Sequence, residues 1–252
     1  MINNKIILKF FCLISLFTYG QSPDSLFEKG NAFYNNGDYQ NAIESYLGII
    51  ENGYHSSEVY YNLGNANYKI GNVAESNFYF EKAKILSPND KMIINNLEYA
   101  KNMTMDSIEI LPQTQINLFF KDLLSLMTTD NWSILSILIL WIGCILFLIY
   151  SFSKSIFLKR IFFSSGIISL LTFMFFIYLT FSKQNQEKVK KGIIFNKEIG
   201  VWTEPNQRTE VLFFLHEGTK FKIIDELEGW SKIVISNGSE GWIENNSIRL
   251  LN

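Results

Sequence analysis

Hydrophobic and polar positions change rhythm several times along the chain. Over residues 23–103, apolar and small residues recur every three or four positions between polar ones, the pattern of a series of amphipathic helices. Residues 116–128 keep a helical period but with unusual proportions. Asn117, Lys121, Ser125 and Thr128 form a narrow polar stripe, surrounded by Leu118, Phe119, Phe120, Leu123, Leu124 and Met127. Two runs, 132–152 and 161–181, then carry no charge at all. From residue 189 the period shortens to two, as in Lys220-Phe221-Lys222-Ile223-Ile224 and Trp230-Ser231-Lys232-Ile233-Val234-Ile235, and Asn237-Gly238 marks a hairpin between strands. The pattern predicts helices, a wide-faced amphipathic helix, two long apolar helices and a small all-β unit.

The two charge-free runs are each about 20 residues long, enough for a helix at 1.5 Å per residue to cross a hydrocarbon core of roughly 30 Å. Joined by so short a link, they predict a transmembrane hairpin. Trp132 falls where an interfacial aromatic belongs. At the start of the chain, Lys5 and Lys9 precede an apolar run over 10–17 and then Thr18-Tyr19-Gly20-Gln21, the layout of a signal peptide over residues 1–20 cleaved after Gly20. Export of residues 21–131 puts the link 153–160 inside, and its Lys154, Lys159 and Arg160 agree with the positive-inside rule. Lys183, Lys188, Lys190 and Lys191 crowd the other end, where they read as solvated linker or as headgroup contacts. The wide-faced helix at 116–128 has two natural homes: flat in the membrane interface, or packed against the hairpin or a partner.

Charge and composition narrow the function. The chain is near neutral overall and has no long basic run, which argues against nucleic acid as a partner. Its two cysteines, Cys12 and Cys144, provide no disulfide framework, and Lys9, Phe10 and Phe11 do not fit an acylation site at Cys12. The two histidines, His55 and His216, have no motif partner and read as solvated loop residues. No metal-ligand spacing, phosphate-binding glycine loop or nucleophile elbow is present. The expectation is a non-enzymatic protein with no cofactor, no metal and no catalytic residues.

An internal repeat organises the first part. Gly30 and Gly64 lie one 34-residue period apart. Aligning on them pairs Asn31 with Asn65, Tyr34 with Tyr68, Gly37 with Gly71, Ala42 with Ser76 and Tyr46 with Phe80. Small residues at Gly30 and Gly64 let paired helices approach, and Tyr46 and Phe80 fill the space between neighbours. Gly37 and Gly71 supply turns. Tyr60, Leu63, Gly64, Tyr68, Phe80, Ala83 and Pro88 in the second copy resemble the tetratricopeptide repeat (TPR) family, and 91–103 reads as a capping helix. The resemblance implies a helical solenoid whose inner face binds partner segments, placing Phe27, Asn31, Tyr34, Tyr61, Asn65, Tyr68 and Lys69 on it. Packing of these aromatics within a short stack is the alternative. Some family members clamp a C-terminal carboxylate; Asn31 and Asn62 match their asparagines, but Phe27, Met92 and Asn96 stand where the cations belong.

The tail, 189–252, carries residues 201–206, Val211-Leu212, Leu215, Gly218, Gly229-Trp230-Ser231-Lys232-Ile233 and Gly241-Trp242-Ile243. These resemble bacterial SH3-like domains, which implies a small barrel with a groove at Trp230 and Trp242 and, as ligand, wall peptides or protein segments. The succession of signal, repeats, amphipathic helix, hairpin and SH3-like unit resembles the BatE-type proteins of the Bacteroides aerotolerance operon. That resemblance implies an inner-membrane scaffold, both modules periplasmic, working with von Willebrand-type membrane subunits and other products of the operon. The alternative is a cell-envelope sensor or peptidoglycan-binding module.

Overall fold

The structure, a computed structural model, describes residues 22–109 and 111–251. The signal read at 1–20 lies outside the described residues. Five helices open the described chain: α1 (Pro23–Asn35), α2 (Tyr39–Glu51), α3 (Ser57–Lys69), α4 (Val73–Leu86) and α5 (Lys91–Lys101). Local chemistry sets most of their starts. The side chains of Ser22, Asp38, Ser56 and Asp90 each accept from a backbone N–H in the first turn of the adjoining helix. The helices pack as two antiparallel pairs with α5 closing the stack. A Cβ on Gly30 would stand 2.5 Å from the Tyr46 ring, and one on Gly64 2.6 Å from Phe80, so each pair is held at a separation only glycine permits. Ser76, the small residue aligned with Ala42, also donates to the Gly64 carbonyl at 3.0 Å.

A short helix α6 (Gln115–Ser125) leads to the hairpin, α7 (Thr129–Phe152) and α8 (Ile156–Lys188). Both are long and apolar enough to cross a membrane, and most of their large side chains are exposed, unlike the core helices of a soluble protein. They point to association with a membrane. The bend is tighter than the predicted link 153–160, because α8 begins at Ile156 and takes Lys159 and Arg160 into its first turns. At its far end α8 runs on to Lys188, two residues short of the sheet. Lys183 and Lys188 therefore sit on a helix, not on a linker, and Lys183 is 4.0 Å from Glu187. Trp132 is 3% exposed, packed with Leu124 and Leu179 and 5.5 Å from the Phe176 ring. On α6, Leu124 is buried against the hairpin, whereas Ile116 and Phe119 stay exposed.

The C-terminal unit has seven antiparallel strands: β1 (Lys191–Ile194), β2 (Glu198–Trp202), β3 (Val211–His216), β4 (Lys220–Leu227), β5 (Trp230–Val234), β6 (Glu240–Glu244) and β7 (Ile248–Leu250). Their order is β3-β2-β6-β5-β4-β1-β7. The expected barrel is therefore an open sheet, curled around a core of Ile194, Val201, Leu215, Phe221, Ile233 and Ile243, whose end strands β3 and β7 do not pair. The β7 end of the sheet is engaged with the repeats. Ile193 and Leu251 insert into the hydrophobic cluster of the repeats, and Arg249 forks onto Glu75 of α4 at 2.9 and 3.0 Å. The two folded modules are thus docked on each other at one end of the hairpin.

Candidate partner-binding surfaces

Helix geometry sends the i, i+3 and i+4 positions of α3 to one face, and the stack curves that face into a groove. Tyr34, Tyr61, Asn65, Tyr68 and Lys69 line it, joined by Phe80, Asn96 and Tyr99 around a cavity of about 300 Å³. Five of the seven predicted inner-face residues therefore come together. Asn31, one turn before Tyr34, has its Oδ1 occupied by the Tyr46 hydroxyl at 2.8 Å and by Asn62 Nδ2 at 3.1 Å. Burial pushes the Tyr46 hydroxyl up to about 12, so it remains a proton donor to Asn31. Phe27 turns away from the groove. Its ring lies 6.0 Å from Tyr46, and it lines a separate hollow with Ile49, Tyr54 and His55.

Three residues outside the predicted inner-face set also line the groove. Phe80, 1% exposed, serves both as the filler between helices and as the floor of the groove. Asn96 stands one repeat period after Asn62, a signal the sequence does contain, and Tyr99 follows one turn later. Both belong to the capping helix, which therefore completes the site as well as closing the stack. Asn96 Nδ2 donates to Tyr61 Oη at 2.8 Å and to Asn65 Oδ1 at 2.9 Å, tying α5 to α3 across the groove.

On the sheet, register places Trp230 and Trp242 on the face opposite the core. Trp230 pairs with Glu244 and Lys232 with Trp242, so the two indoles are diagonal neighbours on β5 and β6. Trp202, a residue the sequence reading passed over, pairs directly with Trp242 from β2. Trp242 is buried, while Trp202 and Trp230 are half-exposed on either side of it. The result is a tryptophan-lined face with one packed and two accessible rings.

A third constellation fixes how the two surfaces face. Glu81 on α4 is 3% exposed, with Lys220 Nζ at 2.5 Å from Oε2 and Lys101 Nζ at 3.1 Å from Oε1. Burial alone would raise its carboxyl; the two lysines overcome this and hold it below the ordinary carboxylate range. Asn77 donates to the Gly218 carbonyl at 3.1 Å. Gly218 has φ +86°, and a Cβ there would meet Val73 at 2.8 Å, so the β3–β4 turn touches α4 only as glycine. Arg249 stacks on Phe195 at 4.0 Å and on Phe78 at 4.9 Å.

Asp106, in the segment after α5, accepts from the His216 backbone N–H at 2.7 Å and from Thr219 Oγ1 at 2.6 Å, and lies 2.6 Å from His216 Nδ1. Burial would raise the Asp106 carboxyl, but bonds from Thr219 and His216 hold it low. The hydrogen bond to Asp106 raises His216, whose Nε2 also has Glu198 at 3.4 Å. His216 is therefore a docking residue and not a free loop histidine. His55 likewise has a partner, with Nδ1 2.7 Å from the Tyr60 hydroxyl.

Family models agree with these units. Tetratricopeptide repeat models match residues 23–51 and 57–90, and the bacterial SH3 domain model matches residues 200–249. A search of curated proteins gave no match. The chain carries two tetratricopeptide repeats and a bacterial SH3 domain, modules of protein or peptidoglycan interaction, on either side of a pair of apolar helices.

Proposed function

We propose that this chain is a non-enzymatic inner-membrane scaffold that holds partner proteins on the periplasmic side, in a stress- or oxygen-tolerance complex with von Willebrand-type membrane subunits. The observation that carries this reading is the docked arrangement. The SH3 sheet covers the α4 side of the repeats, and the groove lined by Tyr61, Tyr68 and Tyr99 stays open. Lys154 at the bend and Lys159 and Arg160 on the first turns of α8 favour that end as the cytoplasmic one. The order of modules, similar to BatE-type proteins, supports the physiological context.

A second reading rests on the tryptophan face. Trp202 and Trp230 flank a buried Trp242, a surface suited to stacking on sugar rings or wall peptides, so the SH3 unit would read peptidoglycan as part of an envelope sensor. Purification of the tagged full chain from detergent separates the two. Co-purification of von Willebrand-type subunits, lost on Tyr68→Ala, is the expected result. Recovery of the chain alone, with muropeptide binding that disappears on Trp230→Ala, would replace the scaffold with the sensor. Labelling of a cysteine introduced at Ser153 from the periplasmic side would overturn the orientation.

A further inference from the structure

Neither the groove nor the tryptophan face involves the amphipathic segment between the repeats and the hairpin. It forms a helix with boundaries of its own. Thr114 caps the start of α6 by accepting from the Asn117 N–H at 3.3 Å. Thr128, predicted as part of the polar stripe, caps α7 instead, accepting from the Asn131 N–H at 3.3 Å. α6 is 11 residues long, and a helix that short holds its shape only when its apolar side is covered. Leu124 is the side chain it buries within the protein.

We propose that α6 lies flat in the bilayer interface, at the end of the hairpin away from the bend. The acyl-chain boundary covers its free apolar side, and headgroup phosphates meet its polar one. The proposal rests on α7 and α8 crossing the membrane. Three sides of the helix have three surroundings. Leu124, with Phe120 and Leu123 beside it, packs with Trp132 of α7 and Leu179 of α8. Ile116, Phe119 and Leu126 fall within about a quarter turn of one another and are 69%, 63% and 71% exposed. Asn117, Lys121 and Ser125 recur every four residues on the third side. Among the described residues Lys121 makes no ion pair.

Position along the hairpin selects lipid as the occupant. Trp132 opens the charge-free run of α7, and Leu179 stands one turn before Lys183, the first charge after the run of α8. α6 therefore docks where the spans pass from hydrocarbon to headgroups. Residues 126–128 alone separate it from α7, which gives it about 10 Å of chain with which to leave that level. At the same level α7 and α8 expose Ile134, Phe175, Tyr178 and Phe181. The free side of α6 adjoins that apolar surface, and one medium covers both. From there the long stem of Lys121 carries its ammonium to the phosphates.

The test places single spin labels on the full chain in nanodiscs of phosphatidylethanolamine and phosphatidylglycerol, with Cys12→Ser and Cys144→Ser as background. Power saturation compares collision with oxygen, which concentrates in acyl chains, and with a water-soluble nickel chelate. Labels on Ile116→Cys, Phe119→Cys and Leu126→Cys should meet oxygen more than nickel. Labels on Asn117→Cys, Lys121→Cys and Ser125→Cys should do the reverse, so that the ratio inverts with a helical period along α6. Ile142→Cys, near the middle of α7, is the control for the span. If it meets oxygen while the label at 119 meets nickel as often as the one at 121, the proposal falls and the hairpin stands. An immobile label at 119, shielded from both reagents, also overturns it, because a protein surface (a second copy or a partner) then covers that side. Leu126→Cys decides the matter where Phe119→Cys disturbs the packing. If the label at 142 meets nickel, the spanning reading and the proposal fall together.

Discussion

The repeats present two sides with opposite bookkeeping of polar groups. On the α4 side, Glu75, Glu81 and Asn77 are matched to Arg249, Lys220 and the Gly218 carbonyl of the sheet. On the groove side, Tyr34, Tyr68 and Tyr99 line an open cavity in which Asn96 and Asn65 are bonded to each other. Both sides carry similar residue types at similar helical spacing. The difference teaches that buried charges met by internal counter-charges mark a joint, whereas an aromatic-walled cavity in which no part of the chain is seated marks an open surface.

Breaking the joint should give the largest effect. Glu81→Ala leaves Lys220 packed at the interface without its counter-charge. Removing one partner of a buried pair costs about 3–5 kcal/mol, and the partial exposure of both lysines puts this case near 3. Hydrogen exchange should report it as lost protection in β1 and β7, with the α3 amides little changed; protection that persists in β1 would show that the apolar insertion of Ile193 and Leu251 suffices. Next in size is Gly64→Ala, which drives a methyl into the Phe80 ring. An overpacking loss of about 1–3 kcal/mol is expected in the thermal unfolding of the helical signal. Because Phe80 is also the groove floor, peptide binding should fall with it, blurring the separation of the two sides.

A smaller effect is expected for Arg249→Lys, about 0.5–1 kcal/mol, since a lysine keeps the charge but loses the fork on Glu75 and the stacking on Phe195. The half-exposed site limits the gain from the ion pair. A denaturant titration that leaves the variant's sheet unchanged would reduce Arg249 to a surface contact.

The smallest effect is pH-dependent. His216 is held above its ordinary value by the hydrogen bond to Asp106, so its contribution to docking is complete below about pH 6.5 and is lost as pH rises through the raised value. Asp106 is held low, so its share is present above about pH 3.9 and fails only as pH falls through the lowered value. Exchange protection of residues 104–109 should therefore weaken from pH 6 to pH 9, and Asp106→Asn should flatten that dependence. Groove binding should not follow the same curve, and a parallel curve would show that joint and groove are coupled.

The sequence by itself determined the parts, because each is specified by local physics. Helical period, cap residues and the Gly30/Tyr46 and Gly64/Phe80 pairs define the repeats. Two uncharged runs define the hairpin, and alternation with Gly238 and Gly218 turns defines the strands. Most of the groove was also legible, since Tyr34, Tyr61, Asn65, Tyr68 and Lys69 are placed by helical spacing within a repeat. What only the tertiary structure decided were contacts between residues far apart in the chain, for which no period exists. The pairing of Glu81 with Lys220, of Glu75 with Arg249 and of Asp106 with His216 spans more than a hundred residues in each case. Those contacts set the β7 end of the sheet on α4 and join two modules that read as separate. The burial of Trp132 was hidden for the same reason: its neighbours Leu124 and Leu179 come from helices on either side of it in sequence. Local pattern states which faces must be buried; only the assembled chain states against what.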